Sequence, residues 1–420
     1  MAADEPPAPS LAEMARAFGR IGLLSFGGPA AQIALMHREI VERRGWLSQE
    51  RFLAGLGLCT LLPGPEAMQL ATYAGWRLRG TAGGLLAGLL FTLPGAALVF
   101  ALACAYAAYG ALPDVQAAFL GIKAAVVVVV VEALARLSRR ALAGWEARAT
   151  ALLAFAAIYV LHAPVPLVLA AAAAWGALRA APAPGAPSAR APSGAARASA
   201  RAALVWGAIW LAPLAALSLA GGILAEIGWL FARIAALSFG GAYAVLAWLA
   251  QEAVEARGWL GPGEMIDALG LAETTPGPLI LVTQFVAVLA ALPAGPLMGL
   301  AAGLVALHAT FAPCFLWIFV AAPWIDRIAA RPRLKSALAG ITAAVVGVIL
   351  NLSLWFALHV LFGETRIADL GPARPLVPVL ASAETAPLAL VGLAAAALLW
   401  LRAPLPATLA ICAAGGLALV

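Results

Sequence analysis

Charge is what this chain has least of. Only 11% of its 420 residues are charged, against 64% hydrophobic, whereas soluble domains carry about 25% charged residues. So little polar surface cannot cover a water-facing core, which excludes a soluble globular class and predicts a polytopic membrane protein. Lysine is nearly absent, at positions 123 and 335 alone. The four cysteines, Cys59, Cys104, Cys314 and Cys412, form no CxxC pair, and the four histidines lack ligand spacing. Neither a disulfide framework nor a metal site is signalled, and each cysteine reads as a small buried hydrophobe. HExxH and GxSxG are missing and the carboxylates do not converge by sequence, so neither an enzyme nor a cofactor is expected. The net charge of +6 comes from arginines in short loops, a pattern of topology signals rather than nucleic-acid binding. The N-terminal MAADEPP lacks a basic region followed by an apolar one, so no cleaved leader is expected.

What the chain does have is a repeat. "FGRIGLLSFGGPAAQIALMHREIVERRGWL" (18–47) aligns with "FARIAALSFGGAYAVLAWLAQEAVEARGWL" (231–260) at an offset of 213. The alignment continues without gaps to a Pro-Gly-Pro in each copy, with 23 identities over the 48 positions 18–65 and 231–278. After a six-residue shift, "GIKAAVVVVVVEA" (121–133) pairs with "GITAAVVGVILNL" (340–352). The chain is an internal duplication. Residues 11–178 form the first repeat, 179–201 a flexible basic linker rich in Pro, Ala, Ser and Gly, 202–223 a linking transmembrane helix, and 224–420 the second repeat.

Charge sets the orientation. Arg38, Arg43, Arg44 and Arg51 precede the interrupted segment 52–76, and Arg77 and Arg79 follow it. If that segment is a re-entrant hairpin of two half-helices, both basic loops are cytoplasmic. The extra helix then starts the second repeat from the other side. There the matching loop 251–264 is acidic and the turn 290–296 uncharged, with basic charge returning at 326–335. The expected fold is therefore an all-α polytopic membrane protein, an inverted-topology internal repeat with re-entrant or broken half-helices.

Four breaks interrupt the apolar segments, at Gly27-Gly28-Pro29, Pro63-Gly64-Pro65, Gly240-Gly241 and Pro276-Gly277-Pro278. Irregular backbone at membrane depth is tolerated where protein buries it or it lines a wet cavity. A half-helix beginning there turns unpaired N–H groups and the positive end of its dipole inward, which suits an anion. The candidate binding residues are Ser25, Gly27, Gly28, Pro29, Gln32, Pro63, Gly64, Pro65, Gln69, Ser238, Gly240, Gly241, Thr275, Pro276, Gly277 and Pro278. Glu66 follows the first Pro-Gly-Pro. The helix dipole favours its ionised form and burial the neutral one, so it reads either as a proton-coupling group or as a helix cap. His37 and Arg38, at the cytoplasmic edge, are candidates for gathering an anion or for topology alone. Lys123 is a candidate anion contact or a snorkelling side chain, and Asp267 is expected near the aqueous edge.

"SFGGPAAQIALMH" (25–37), "RRGWLSQERF" (43–52) and "LPGPEAMQLATYAGWRLRG" (62–80) resemble the signatures of the chromate transporter family, specifically its long members with two oppositely oriented homologous domains. The resemblance implies a multi-pass protein of a bacterial-type inner membrane. Its implied activity is export of chromate from the cytoplasm, driven by the proton gradient or membrane potential, with sulfate as competitor. A related carrier for sulfate or another small anion is the alternative. Pro29 is replaced by Ala242 and Glu66 by Leu279 in the second repeat, so substrate-determining groups are expected mainly in the first. A homodimer through small-residue faces such as 80–88 is a further expectation.

Overall fold

The computed structural model describes residues 9–180, 194–239, 242–329, 331–371 and 373–419. In chain order the helices are α1 (Leu11–Leu24), α2 (Gly28–His37), α3 (Gln49–Cys59), α4 (Glu66–Tyr109), α5 (Pro113–Ala141), α6 (Trp145–Tyr159) and α7 (Val165–Leu178). Then follow α8 (Ala195–Ala220), α9 (Ile223–Leu237), α10 (Ala242–Ala250), α11 (Pro262–Thr274), α12 (Val282–Ala291), α13 (Pro296–Ala321) and α14 (Ile325–Ala329). The last are α15 (Pro332–Leu361), α16 (Thr385–Ala395) and α17 (Leu405–Leu419). The fold is all-α and membrane-spanning apart from a small antiparallel hairpin, β1 (Thr365–Ile367) with β2 (Leu376–Pro378). Among the described residues, five helices are long and apolar enough to cross a membrane.

Local chemistry explains where the helices start. Ser10 and Glu13 form a reciprocal capping box at α1, with the Ser10 N–H donating to Glu13 Oε2 at 2.8 Å and the Glu13 N–H to Ser10 Oγ at 3.2 Å. Ser48 caps α3 by accepting the Arg51 N–H. The helix α8 starts at Ala195, inside the segment expected to be linker. Its first turns, AARASARAAL, are dominated by alanine and arginine, both strong helix formers, and these extend the helix ahead of its apolar part. Positions 181–193 of that linker lie outside the described residues.

The segment 49–78 is a re-entrant hairpin. A continuous helix would hold Gly55 and Tyr73 about 27 Å apart, at 1.5 Å per residue. Instead the Tyr73 ring lies against Gly55, the two residues standing nine positions either side of Gly64 in the break. The chain then reverses again inside α4, at Arg79 (φ −143°, ψ 32°) and Gly80 (φ 60°, ψ −151°). The two arms of α4 run back along each other, with Gly75 and Gly83 so close that a methyl on either would meet the other's carbonyl.

The chain forms two compact units, and neither coincides with a sequence repeat. One contains Met1–Leu102, Pro182–Ala242 and Thr275–Pro332, the other Ala103–Ala181, Tyr243–Thr274 and Arg333–Val420. Each draws on both repeats. In the second unit the duplication is visible in helix contacts. A Cβ on Gly121 of α5 would strike the Cys412 carbonyl of α17, and one on Gly416 would strike the Ala117 carbonyl. The same interlock joins α15 to α7, with Gly340 against the Ala172 carbonyl and Gly176 against the Ser336 carbonyl. Positions 117 and 121 map to 336 and 340 by 219, and 172 and 176 to 412 and 416 by 240. Beside the first interlock, Ala125, Val128, Ala394, Leu409 and Cys412 form a buried cluster.

Smaller features are also duplicated. Residues Arg38–Glu42 and Gln251–Ala256 both form a π-helical turn. Beyond each, an arginine lies over a tryptophan, Arg44 on Trp46 at 5.1 Å and Arg257 on Trp259 at 5.4 Å. Glu39 is buried and bonds Arg43 at 2.9 Å and Arg44 at 3.4 Å, and its equivalent Glu252 pairs with Arg257. Glu39 with Arg43, Arg44 and Trp46, and Glu252 with Arg257 and Trp259, are thus clamps of the scaffold.

Candidate functional site

All the breaks expected to hold an anion whose backbone is described fall in the first unit. Each repeat ends its first helix identically. Ser25 (φ −79°, ψ 61°) and Ser238 (φ −80°, ψ 70°) are the central residues of inverse γ-turns. The Phe26 N–H donates to the Leu24 carbonyl at 2.9 Å, and the Phe239 N–H to the Leu237 carbonyl at 3.0 Å. The turns stop α1 and α9 and leave the serine carbonyls available to other segments.

Those carbonyls are taken up by the opposite repeat. The Gly277 N–H donates to the Ser25 carbonyl at 3.0 Å, and the Gly64 N–H to the Ser238 carbonyl at 3.0 Å. The two donors, Gly64 and Gly277, and the two acceptors, Ser25 and Ser238, are each 213 apart in sequence, so one bond is made twice under a two-fold relation between repeats. Gly64 (φ 122°) and Gly277 (φ 90°) have backbone conformations that favour glycine. Each also leans on the long helix of the other repeat. A Cβ at Gly64 would lie 3.2 Å from Cys314 Sγ in α13, and one at Gly277 would lie 3.6 Å from the Gly95 Cα in α4.

The side chains break this symmetry. Gln32, 2% exposed, donates its amide N–H groups to the Gly277 carbonyl at 2.7 Å and the Ser25 carbonyl at 3.2 Å. Its counterpart is Val245. Gln69 is fully buried and donates to the Pro63 carbonyl at 2.6 Å, while its Oε1 has no partner among the described residues. Its counterpart is Val282. Gln32→Ala removes the only side-chain bridge between the first and fourth breaks among the described residues and orphans a buried carbonyl, worth about 1–3 kcal/mol. The expected result is a thermal transition lowered by several degrees in detergent together with slower transport; an unchanged transition would show that Gln32 does not hold the breaks together.

The sequence-derived residues divide into several groups. Ser25, Gln32, Gln69, Ser238, Thr275 and both Pro-Gly-Pro turns are buried and gathered in this unit. Gly28 and Pro29 are half-buried and Gly27 is exposed, so the first break is open on the α2 side. Gly240 and Gly241 lie outside the described residues. Glu66 opens α4, half-buried, with no hydrogen-bond or ion-pair partner among the described residues. His37 is not free: it bonds Gln49, contacts Glu42 at 3.1 Å and lies edge-on to Phe52, tying α2 to α3. Arg38 is exposed at the start of the π-helical turn. Lys123 belongs to the second unit and pairs with Asp267 at 3.2 Å. Asp267 is 3% exposed, because α11 turns that face onto α5.

Cys314 and Gly95, which shape the walls of the two Pro-Gly-Pro turns, carried no sequence signal beyond small size. Among the described residues no cluster of His, Cys, Asp or Glu could hold a metal ion.

A family profile described as chromate transporter matches residues 12–177 and 224–419, one stretch in each repeat. The chain belongs to the chromate transporter family. It is similar to the chromate transport protein of Pseudomonas aeruginosa, 33% identical over 370 residues that cover 82% of this chain and 80% of that one. It is 30% identical to the chromate transport protein of Cupriavidus metallidurans over 364 residues, 82% of each chain. A probable chromate transport protein of Synechococcus elongatus is 32% identical over 347 residues, 82% of this chain and 84% of the relative. No solved structure matches the chain. The family and the helical architecture make this a secondary membrane transporter rather than an enzyme, multi-pass in the bacterial inner membrane.

Proposed function

We propose that the protein exports chromate from the cytoplasm, binding the tetrahedral dianion where the helix breaks of the two repeats meet. The observation that supports this reading best is the reciprocal pair of hydrogen bonds, Gly64 to Ser238 and Gly277 to Ser25. It gathers half-helix N-termini from both repeats into one unit. The Gly64 and Gly277 N–H groups are committed to that crossing, so they hold the frame and do not touch the anion. Donors for the anion come from the first turns that follow. In α2 these are the N–H groups of Gly28 and Ala30, at a terminus with no side-chain cap, and in α4 those of Glu66, Ala67 and Met68.

Glu66 is the one carboxylate among these donors, and an ionised carboxylate there repels a dianion. Anion binding therefore requires Glu66 to be neutral, which links occupancy to protonation. The membrane potential supplies the direction: each charge moved is worth about 2.3 kcal/mol per 100 mV, hence about 4.6 kcal/mol for an exported dianion. A proton leaving with the dianion lowers this to about 2.3 kcal/mol and itself moves against an inward proton gradient, so the potential is the drive this cycle uses.

Inverted membrane vesicles test the reading. Labelled chromate should accumulate in them saturably, with unlabelled sulfate competing. Accumulation of labelled sulfate without chromate would favour the alternative of a related anion carrier. Glu66→Gln should leave the membrane level unchanged and lower transport about tenfold, equivalent to about 1.4 kcal/mol. Wild-type rates and pH dependence in that variant would remove Glu66 from the mechanism.

A further inference from the structure

The second unit contains a buried polar cluster that the duplicated scaffold does not require. Asp267 on α11 accepts the Tyr106 hydroxyl at 2.8 Å and faces the Lys123 ammonium at 3.2 Å, both through Oδ2. Its other oxygen, Oδ1, is buried and has no partner among the described residues. The Asp267 side chain is 4% exposed and that of Lys123 24%, so the ammonium is the cluster's contact with the outside. A glycine clears space for it: a Cβ on Gly263 would lie 3.3 Å from Lys123 Nζ. Among the described residues the other charged group facing Asp267 is Glu264, on α11 itself; α17, also packed on α11, carries no charge.

Two observations separate this cluster from ordinary scaffolding. In the ungapped alignment of the repeats Asp267 corresponds to Ala54, and Lys123 corresponds to Thr342 in GITAA. The same architecture thus folds with neutral residues at both places. Buried ion pairs also do little for stability unless both partners are fully hydrogen-bonded, and here one carboxylate oxygen is left bare.

We infer that Asp267 is a proton seat of the transport cycle and Lys123 its charge-balancing partner, an inference that rests on the anion-export reading above. One proton from water binds Asp267 at Oδ1, converting the bare acceptor into a hydroxyl. Tyr106 keeps its bond to Oδ2, and Lys123 remains an ammonium. The cluster passes from neutral to a net charge of +1, which offsets half the charge of a dianion carried through the same protein. Release of the anion returns the proton and re-forms the pair. This seat is separate from Glu66, which gates the anion at the helix breaks.

The test uses the full chain in proteoliposomes with a trapped pH dye, following labelled chromate and protons together. Wild type should move protons with chromate. Asp267→Asn should abolish the chromate-dependent proton signal, or reduce it about tenfold, while chromate-for-chromate exchange continues. Because removing one partner of a buried pair can destabilise the fold, the double variant Lys123→Met/Asp267→Asn is the deciding one. It should restore the membrane level and exchange but not the proton signal. A double variant with the wild-type proton signal and pH profile would overturn the inference and leave a purely structural pair. Wild-type chromate transport without proton movement would overturn it too, while leaving the export reading intact. Absence of chromate transport in wild type would instead refute the export reading on which it rests.

Discussion

Gly64→Ala is expected to slow chromate uptake into inverted vesicles about tenfold or more, at matched membrane level. Gly57→Ala, in the preceding half-helix, should leave it unchanged. Gly64 has φ 122°, where a side chain is strained by about 1–3 kcal/mol. The new Cβ would also approach Gln69 Nε2 to 2.7 Å and Cys314 Sγ to 3.2 Å. Moving the Gln69 amide aside breaks its bond to the Pro63 carbonyl, a further loss of about 1 kcal/mol. Rotating the peptide instead withdraws the Gly64 N–H from Ser238, which undoes the crossing between the repeats. Either response disturbs the breaks by more than the 1.4 kcal/mol that changes a rate tenfold. At Gly57 nothing lies within 4 Å of the added methyl. Gly277→Ala should give the smaller loss of the two Pro-Gly-Pro variants. Its φ of 90° carries similar strain, but the nearest obstacle is the flexible end of Leu281 at 3.2 Å. A Gly64→Ala protein with wild-type initial rates would show that the crossing has no part in transport.

The inverted duplication and its breaks were legible because a single offset of 213 runs without gaps through both motifs, and glycine and proline mark breaks by their backbone chemistry. The two-fold relation could be read from that offset, but not that its elements bond each other. Gly64 and Gly277 read as donors waiting for an anion. They are instead committed to the Ser238 and Ser25 carbonyls, and nothing in a linear chain says which carbonyl a buried N–H will find. That Asp267 pairs with Lys123 could not be read either. α11 carries three carboxylates, Glu264, Asp267 and Glu273, whose order in the chain gives no sign of which one turns toward α5, and only the α5–α11 contact puts Asp267 beside Lys123. The end of the linker was misread because scattered Pro, Gly and Ser dominated the composition of a stretch whose last residues are helix-forming Ala and Arg. The match of α7 to α17 was invisible for a related reason. Both segments are rich in alanine, and the repeat offset has drifted from 213 to 240 by then.

That hidden match yields a second large effect. Gly121→Val and Gly340→Val are each expected to lower the thermal transition of the detergent-solubilised protein markedly and to reduce its membrane level. At both glycines an added carbon would land on a backbone carbonyl, Cys412 for one and Ala172 for the other. A side-chain neighbour can change rotamer, but a carbonyl within a helix cannot move unless the helix moves. Overpacking against mobile neighbours costs about 1–3 kcal/mol, and a backbone wall should put these variants at or above the upper end. The loss is compounded because close approach of small residues is what holds membrane helices together where lipid offers no hydrophobic drive. Gly392→Val, in α16 with nothing within 4 Å, supplies the comparison and should change little beyond helix propensity. If the interlocks are equivalent members of a two-fold scaffold, the two valine variants should fall by similar amounts. As the interlocks join different helix pairs, their losses should add in the double variant. A stable Gly340→Val beside an unstable Gly121→Val would mean that only the α5–α17 contact bears on folding, and that the symmetry of the second unit is inherited geometry without equal energetic weight.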